Sequence, residues 1–176
     1  MIIKIINKII LIFFLITSSI HAENTTQFRY LDFSAFMNES LAGKSISSQL
    51  NTINKNISKK LTDEGNKLKA IEEDTLSQKN VLSEKEFKNK IDKLRSEIND
   101  FNAKRRKSIN DFKKKKINAE NKLLKQLSEI MTEYLKDNDI SIVLQKKNIL
   151  IAKSELDITK DIIKIFDKKV KKIDIK

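Results

Sequence analysis

The segment "SIVLQKKNILIAKSELDITKDIIKIFDKK", residues 141–169, reads unlike the chain before it. Two short β-rich runs, "ISIVL" (140–144) and "NILIA" (148–152), flank "QKK", a pattern that predicts a β-hairpin. "SELDITKDIIKIF" follows, offering Asp157 as a helix cap with Ile158, Ile162, Ile163 and Phe166 on one face. A charged helical chain thus ends in a small piece of sheet and a helix that needs burying. Such strands do not stand alone. They need covering helices or copies of themselves from other chains, and self-association satisfies both their edges and their apolar faces.

Upstream, apolar residues recur three, four or seven apart. Ile46, Leu50, Ile53, Ile57, Leu61, Leu68 and Ile71 form one narrow stripe. Phe87, Ile91, Leu94, Ile98 and Phe101 begin a second, which resumes at Phe112, Ala119, Leu123, Leu127, Ile130 and Tyr134. Stripes this narrow are of the coiled-coil kind. Between residues 75 and 84 the period lapses, and Ser83 with Glu86 makes a capping box. Two matching stripes joined by a short turn predict an antiparallel helical hairpin. Its second helix, residues 84–137, would run roughly 80 Å at 1.5 Å per residue. "QFRYLDF" (27–33) predicts a short first strand, after which Asp32 or Ser34 can cap the next helix.

Bulk composition agrees. The 176 residues include no Pro and two Gly, which suits long uninterrupted helices. Charged residues make up 34% and aromatics 6%, so one chain builds only a modest core and oligomerisation is expected. The fold class is therefore α+β: a long hairpin arm on a small β body with a C-terminal helix.

Residues 1–22 follow a separate logic. "MIIKIINK" carries Lys4 and Lys8, "IILIFFLI" is apolar, and "TSSIHA" ends on a small residue. This is the order of a secretory signal, with cleavage expected after Ala22, and the apolar run is shorter than the roughly 20 residues of a bilayer span. Cleavage there removes His21, the one His of a chain that has no Cys. No imidazole acid or base, thiol nucleophile or His/Cys metal site can then be built. The expectation is no catalytic residue, no metal, no cofactor and no enzyme. "AGKS" (42–45) looks like the end of a phosphate loop, but Asn38 stands where that loop needs Gly. No nucleotide is expected.

Charge is spread unevenly. Residues 101–125 hold ten Lys or Arg against Asp111 and Glu120, whereas residues 61–86, around the turn, are net acidic. The candidate anion- or client-binding residues are Lys104, Arg105, Arg106, Lys107, Lys113, Lys114, Lys115 and Lys116, with Phe101 and Phe112 as apolar contacts. The bland alternatives are a solvated helix face for the lysines and the coiled-coil seam for the phenylalanines. Nucleic acid suits such a patch, but secretion argues against it. Acidic unfolded polypeptides, or lipid phosphates at a membrane surface, fit better.

The order of parts resembles the Skp/OmpH family of periplasmic chaperones. The likeness rests on Asp32 after the first strand, Gly43-Lys44 opening the arm, Val143-Leu144 in the second strand and Asp157-Ile158-Thr159 opening the last helix. Gln145 stands where the family often has an acid, and "KKVKKIDIK" runs past its usual end. The resemblance implies a periplasmic homotrimer, its strands sharing an intersubunit β-barrel, with three arms around a cavity. It also implies ATP-independent holding of unfolded outer-membrane proteins; anionic lipid or lipopolysaccharide phosphates are the further partners that the basic stretch suggests. The expected division is a signal peptide at 1–22, a trimerisation body at 23–45 and 138–176, and an arm at 46–137 with its tip near 75–84. Trimer-body candidates are Phe28, Tyr30, Ile142, Leu144, Ile149, Ile151, Ile162 and Phe166. The alternative is a structural coiled-coil or anion-binding envelope protein without chaperone activity.

Overall fold

The computed structural model describes residues 26–175; the expected signal peptide lies outside them. Strand β1 (Phe28–Leu31) leads into helix α1 (Phe33–Glu39), then α2 (Leu41–Ser77) and α3 (Glu84–Asp137). Strand β2 (Ile142–Gln145), two 3-10 turns (Lys146–Asn148 and Ser154–Leu156) and helix α4 (Thr159–Lys169) follow. The protein is mostly helical, with one small strand pair.

Capping residues set the helix starts. Asp32 accepts from the Ala35 N–H at 2.9 Å to open α1. Ser40 then breaks the helix and opens α2 by accepting from the Gly43 N–H at 3.1 Å. The two helices fold so closely here that a β-carbon on Gly43 would overlap the Met37 backbone. Glycine is therefore a packing requirement at this site. At the far end, Ser83 and Glu86 form the reciprocal capping box, with Ser83 N–H donating to Glu86 Oε2 at 3.1 Å. This box fixes where α3 begins after the turn at 78–83.

α2 and α3 pair antiparallel. Their seam is buried at Ile46, Ala119 and Leu123 near the body and at Thr75 and Leu94 near the tip. In between, Ile53, Ile57, Leu61, Ile98, Phe101 and Phe112 are only half-buried, because each helix has a single neighbour to pack against. Ile71, expected on the stripe, is 43% exposed.

α3 runs beyond the root of α2 and joins the body. Leu123, Leu127 and Ile130 pack with Leu31, Phe36, Ile46, Ile158, Ile162 and Phe166 in one apolar cluster. Phe36 and Phe166, both fully buried, meet edge to face with centroids 4.9 Å apart. This contact docks α4 onto α1.

The expected hairpin of 140–144 with 148–152 does not form. β2 instead pairs parallel with β1, Phe28 opposite Ile142 and Leu31 opposite Gln145. A tight hairpin turn needs positive φ, and "QKK" supplies no residue suited to it; among the described non-glycine residues only Asp139 adopts positive φ. Asp139 ends α3 instead, where the Ile140 N–H donates to the Leu135 carbonyl at 3.0 Å. After β2, Lys146 turns to Asp32 (Nζ–Oδ2 3.2 Å), and Leu150 and Ile151 stand 102% and 91% exposed.

Candidate functional site

The eight basic candidates on α3 are all exposed. Consecutive helical residues point all round the axis, so neither basic run forms a single-sided stripe. Lys104 bends across the hairpin to Glu64 (2.6 Å), and Lys116 lies 3.9 Å from Glu120 one turn on. The other six present their charge to solvent along the body-side half of the arm. The Phe101 ring lies over Gly65 in the seam, 3.6 Å from where a β-carbon would stand. Phe112 is half-buried.

The eight body candidates divide into two groups. Ile162 and Phe166 are fully buried and Tyr30 nearly so, all within the chain's own fold. Phe28, Ile142 and Leu144 are 48%, 42% and 44% exposed, Ile151 is almost wholly exposed, and Ile149 is half-buried. The strand register accounts for the exposed strand residues, though not for Tyr30. Alternate residues share a face, so Leu31 and Val143 turn to the core cluster while Phe28, Tyr30, Ile142 and Leu144 share the opposite one, where Tyr30 is buried and the other three are exposed. The two-stranded sheet carries apolar residues on both faces, and the second is covered only at Tyr30. Among the described residues no further strand pairs beyond β2 on one side or along most of β1 on the other, where a bridge joins Tyr30 to Asp157.

Where the segments meet lies a polar knot. Asp32 N–H donates to the Thr159 hydroxyl at 2.8 Å, and Asp157 Oδ1 accepts from the Thr159 N–H at 2.9 Å and from its hydroxyl. The Ala35 N–H bond holds the Asp32 carboxyl below its ordinary range against partial desolvation, and Lys146 adds to the lowering. Lys146 is raised in turn, chiefly by its bond to Asp32. Between body and arm, a cleft of about 430 Å³ is lined by Phe33, Met37, Leu50, Lys116, Lys146 and Lys147, among others. Among the described residues no acidic, His or Cys cluster suits a metal ion, and no helix is long and apolar enough to cross a membrane.

Sequence reasoning did not place the C-terminal segment. Ile173 and Ile175 are buried against the arm root, where Gln49 bonds to the main chain of both. The alternation in "KIDIK" was the available signal.

A family model described as outer membrane protein (OmpH-like) matches residues 27–166. Among solved structures, one of a candidate outer membrane chaperone (OmpH-like) from Caulobacter crescentus CB15 superposes with a TM-score of 0.75. That likeness covers 84% of this chain and 87% of the other at 17% identity, and shows a shared fold. No curated protein matches the sequence.

Proposed function

Since the chain belongs to the OmpH-like family of outer membrane proteins, we propose that it is an ATP-independent periplasmic holdase, acting as a homotrimer on unfolded outer-membrane proteins. The observation that carries this reading is the half-covered sheet at the root of a long basic arm. A face bearing Phe28, Ile142 and Leu144, with open edges beside it, is satisfied by the same face of other copies. Three bodies joined through these strands would close a shared barrel and set three arms around one space. The body comprises 23–45 and 138–176, the arm 46–137, and the leader 1–22 is removed.

Such a cavity needs no tight pocket. Many weak contacts on three linked arms act at high effective concentration, so a client is held by avidity and released without ATP. The basic run from Lys104 to Lys116 draws acidic clients, and through the same charge can meet lipid or lipopolysaccharide phosphates. The half-buried Phe101 and Phe112 add apolar contact where the seam opens. No catalytic step is involved.

The test dilutes a urea-unfolded outer-membrane β-barrel into buffer containing residues 23–176, without ATP, at low and high salt. Suppressed light scattering that saturates near one trimer per client, and weakens with salt, is the expected result. No suppression at either salt would leave a structural coiled coil.

A further inference from the structure

The segment after α4 leaves the helix in extended backbone at Val170 and turns back over the root of the arm. It lies outside the residues 27–166 that the family model matches. Ile173 and Ile175 are buried in the same cluster as Ile46, Ala119 and Leu123, while Lys172 and Asp174 point outward. Gln49 and Lys122 on the arm both bond to the main chain of residues 173–175. Gln49 of α2 donates from Nε2 to the Ile173 carbonyl at 2.7 Å, and its Oε1 accepts from the Ile175 N–H at 3.2 Å. Lys122 of α3 donates to the Asp174 carbonyl at 3.1 Å.

These contacts read backbone, while the buried Ile173 and Ile175 call for apolar side chains at alternate positions. A side-chain amide on C=O and N–H two residues apart offers what a neighbouring strand would offer, and apolar pockets take every second residue. Unfolded outer-membrane strands carry that alternation, apolar residues interleaved with polar ones. We infer that the root of the arm, between Gln49 and Lys122, is a binding site for extended, alternately apolar polypeptide, with the C-terminal segment as its resident occupant, displaced when an unfolded client strand arrives. The displacement by a client rests on the chaperone reading; the site itself does not.

Two full-length variants test it. Ile173→Ser with Ile175→Ser removes the two anchors and expels the segment without touching the helices. Lys122→Cys with Asp174→Cys, joined by a short bismaleimide, holds it down; the native chain has no Cys to interfere. The probe is the fluorescein-labelled peptide VKKIDI, residues 170–175, with a control carrying Ser at both Ile positions. A segment seated nine-tenths of the time weakens a competitor by about tenfold. The expelled variant should therefore bind the peptide about tenfold tighter than the unmodified chain and ignore the control. Gln49→Ala in the expelled background should lose that gain, and the cross-linked chain should bind neither peptide. An unfolded outer-membrane β-barrel should compete the peptide off.

An expelled variant that keeps its helical circular dichroism yet binds VKKIDI no tighter overturns the site. So does peptide binding undiminished by the cross-link. Peptide binding without aggregation suppression by any variant supports the site and sinks the holdase reading. Suppression by the unmodified chain that the cross-link leaves unchanged keeps the holdase and overturns displacement by client.

Discussion

The main-chain N–H of Asp32 and the hydroxyl of Thr159 are 2.8 Å apart, though 127 residues separate them in sequence. One hydrogen bond thus ties the end of β1 to the start of α4. The same aspartate caps α1 through Ala35 and holds Lys146 at the end of β2. Four segments of the body converge on one residue.

Asp32→Ala should lower stability by about 1–2 kcal/mol, the usual loss on removing a helix N-cap. Asp32→Asn keeps an oxygen for the Ala35 N–H and should recover most of that. Urea unfolding midpoints decide the matter; an Asn variant as weak as the Ala variant would mean the cap contributes little.

The depressed Asp32 carboxyl makes stability depend on pH in one direction. As acid is added, the unfolded chain takes up this proton first, near the ordinary value of about 4. The contribution is complete above that value and lost as pH falls through the lower folded one. The urea-midpoint advantage of the native chain over Asp32→Asn should hold from pH 7 to 5 and shrink below pH 4. Lys146, raised by the same pair, contributes below its ordinary value of about 10.4 and loses that as pH rises through the folded one.

The two glycines should respond with opposite signs. Gly43→Ala forces a β-carbon into the Met37 backbone and should cost about 1–3 kcal/mol, as overpacking does. Gly65→Ala meets only the Phe101 ring at ordinary contact distance and should stabilise by about 0.5–1 kcal/mol through helix propensity. Thermal melts of the two variants should move to either side of the native one.

Ile142→Asp with Leu144→Asp probes the uncovered sheet face. Both side chains are more than two-fifths exposed in one chain, so a monomer would tolerate the change. Light scattering should find three times the chain mass for residues 23–176 and a smaller species for the variant. A native chain of monomer mass sinks the trimer outright.

Backbone exchange should map the seam. Amides of α2 between Ile53 and Leu68, whose apolar partners are half-buried, should exchange sooner than those of α3 between Ala119 and Ile130, which sit in the body core. Uniform protection along α3 would contradict it.

The hairpin arm, its turn and the capping box were legible because each is local: a period of three and four, a lapse, and Ser83 placed three before Glu86. The apolar face of α4 was legible for the same reason. The partner of "ISIVL" was not. β-branched residues specify extended backbone but not which strand lies alongside, and the pairing that formed joins residues from opposite ends of the chain. The break at Ser40 was hidden because "MNESLAGKS" contains neither Pro nor a second stripe; it follows from the close approach at Gly43. For the basic run, spacing could mark the charge but not its direction, since four successive lysines encircle a helix.

The parallel pairing of β1 with β2 makes the whole arm a crossover between neighbouring strands. Closing so long a loop in an unstructured chain is slow, because its entropy must be lost before any contact across it forms. The arm removes most of that burden. Its turn at 78–83 can form first and its helices zip toward the root, carrying the two chain ends together as they lengthen. A chain made from its N-terminus must hold β1 unpaired until β2 has followed α3. The sheet is therefore unfinished until both helices of the arm and the strand beyond them have been made.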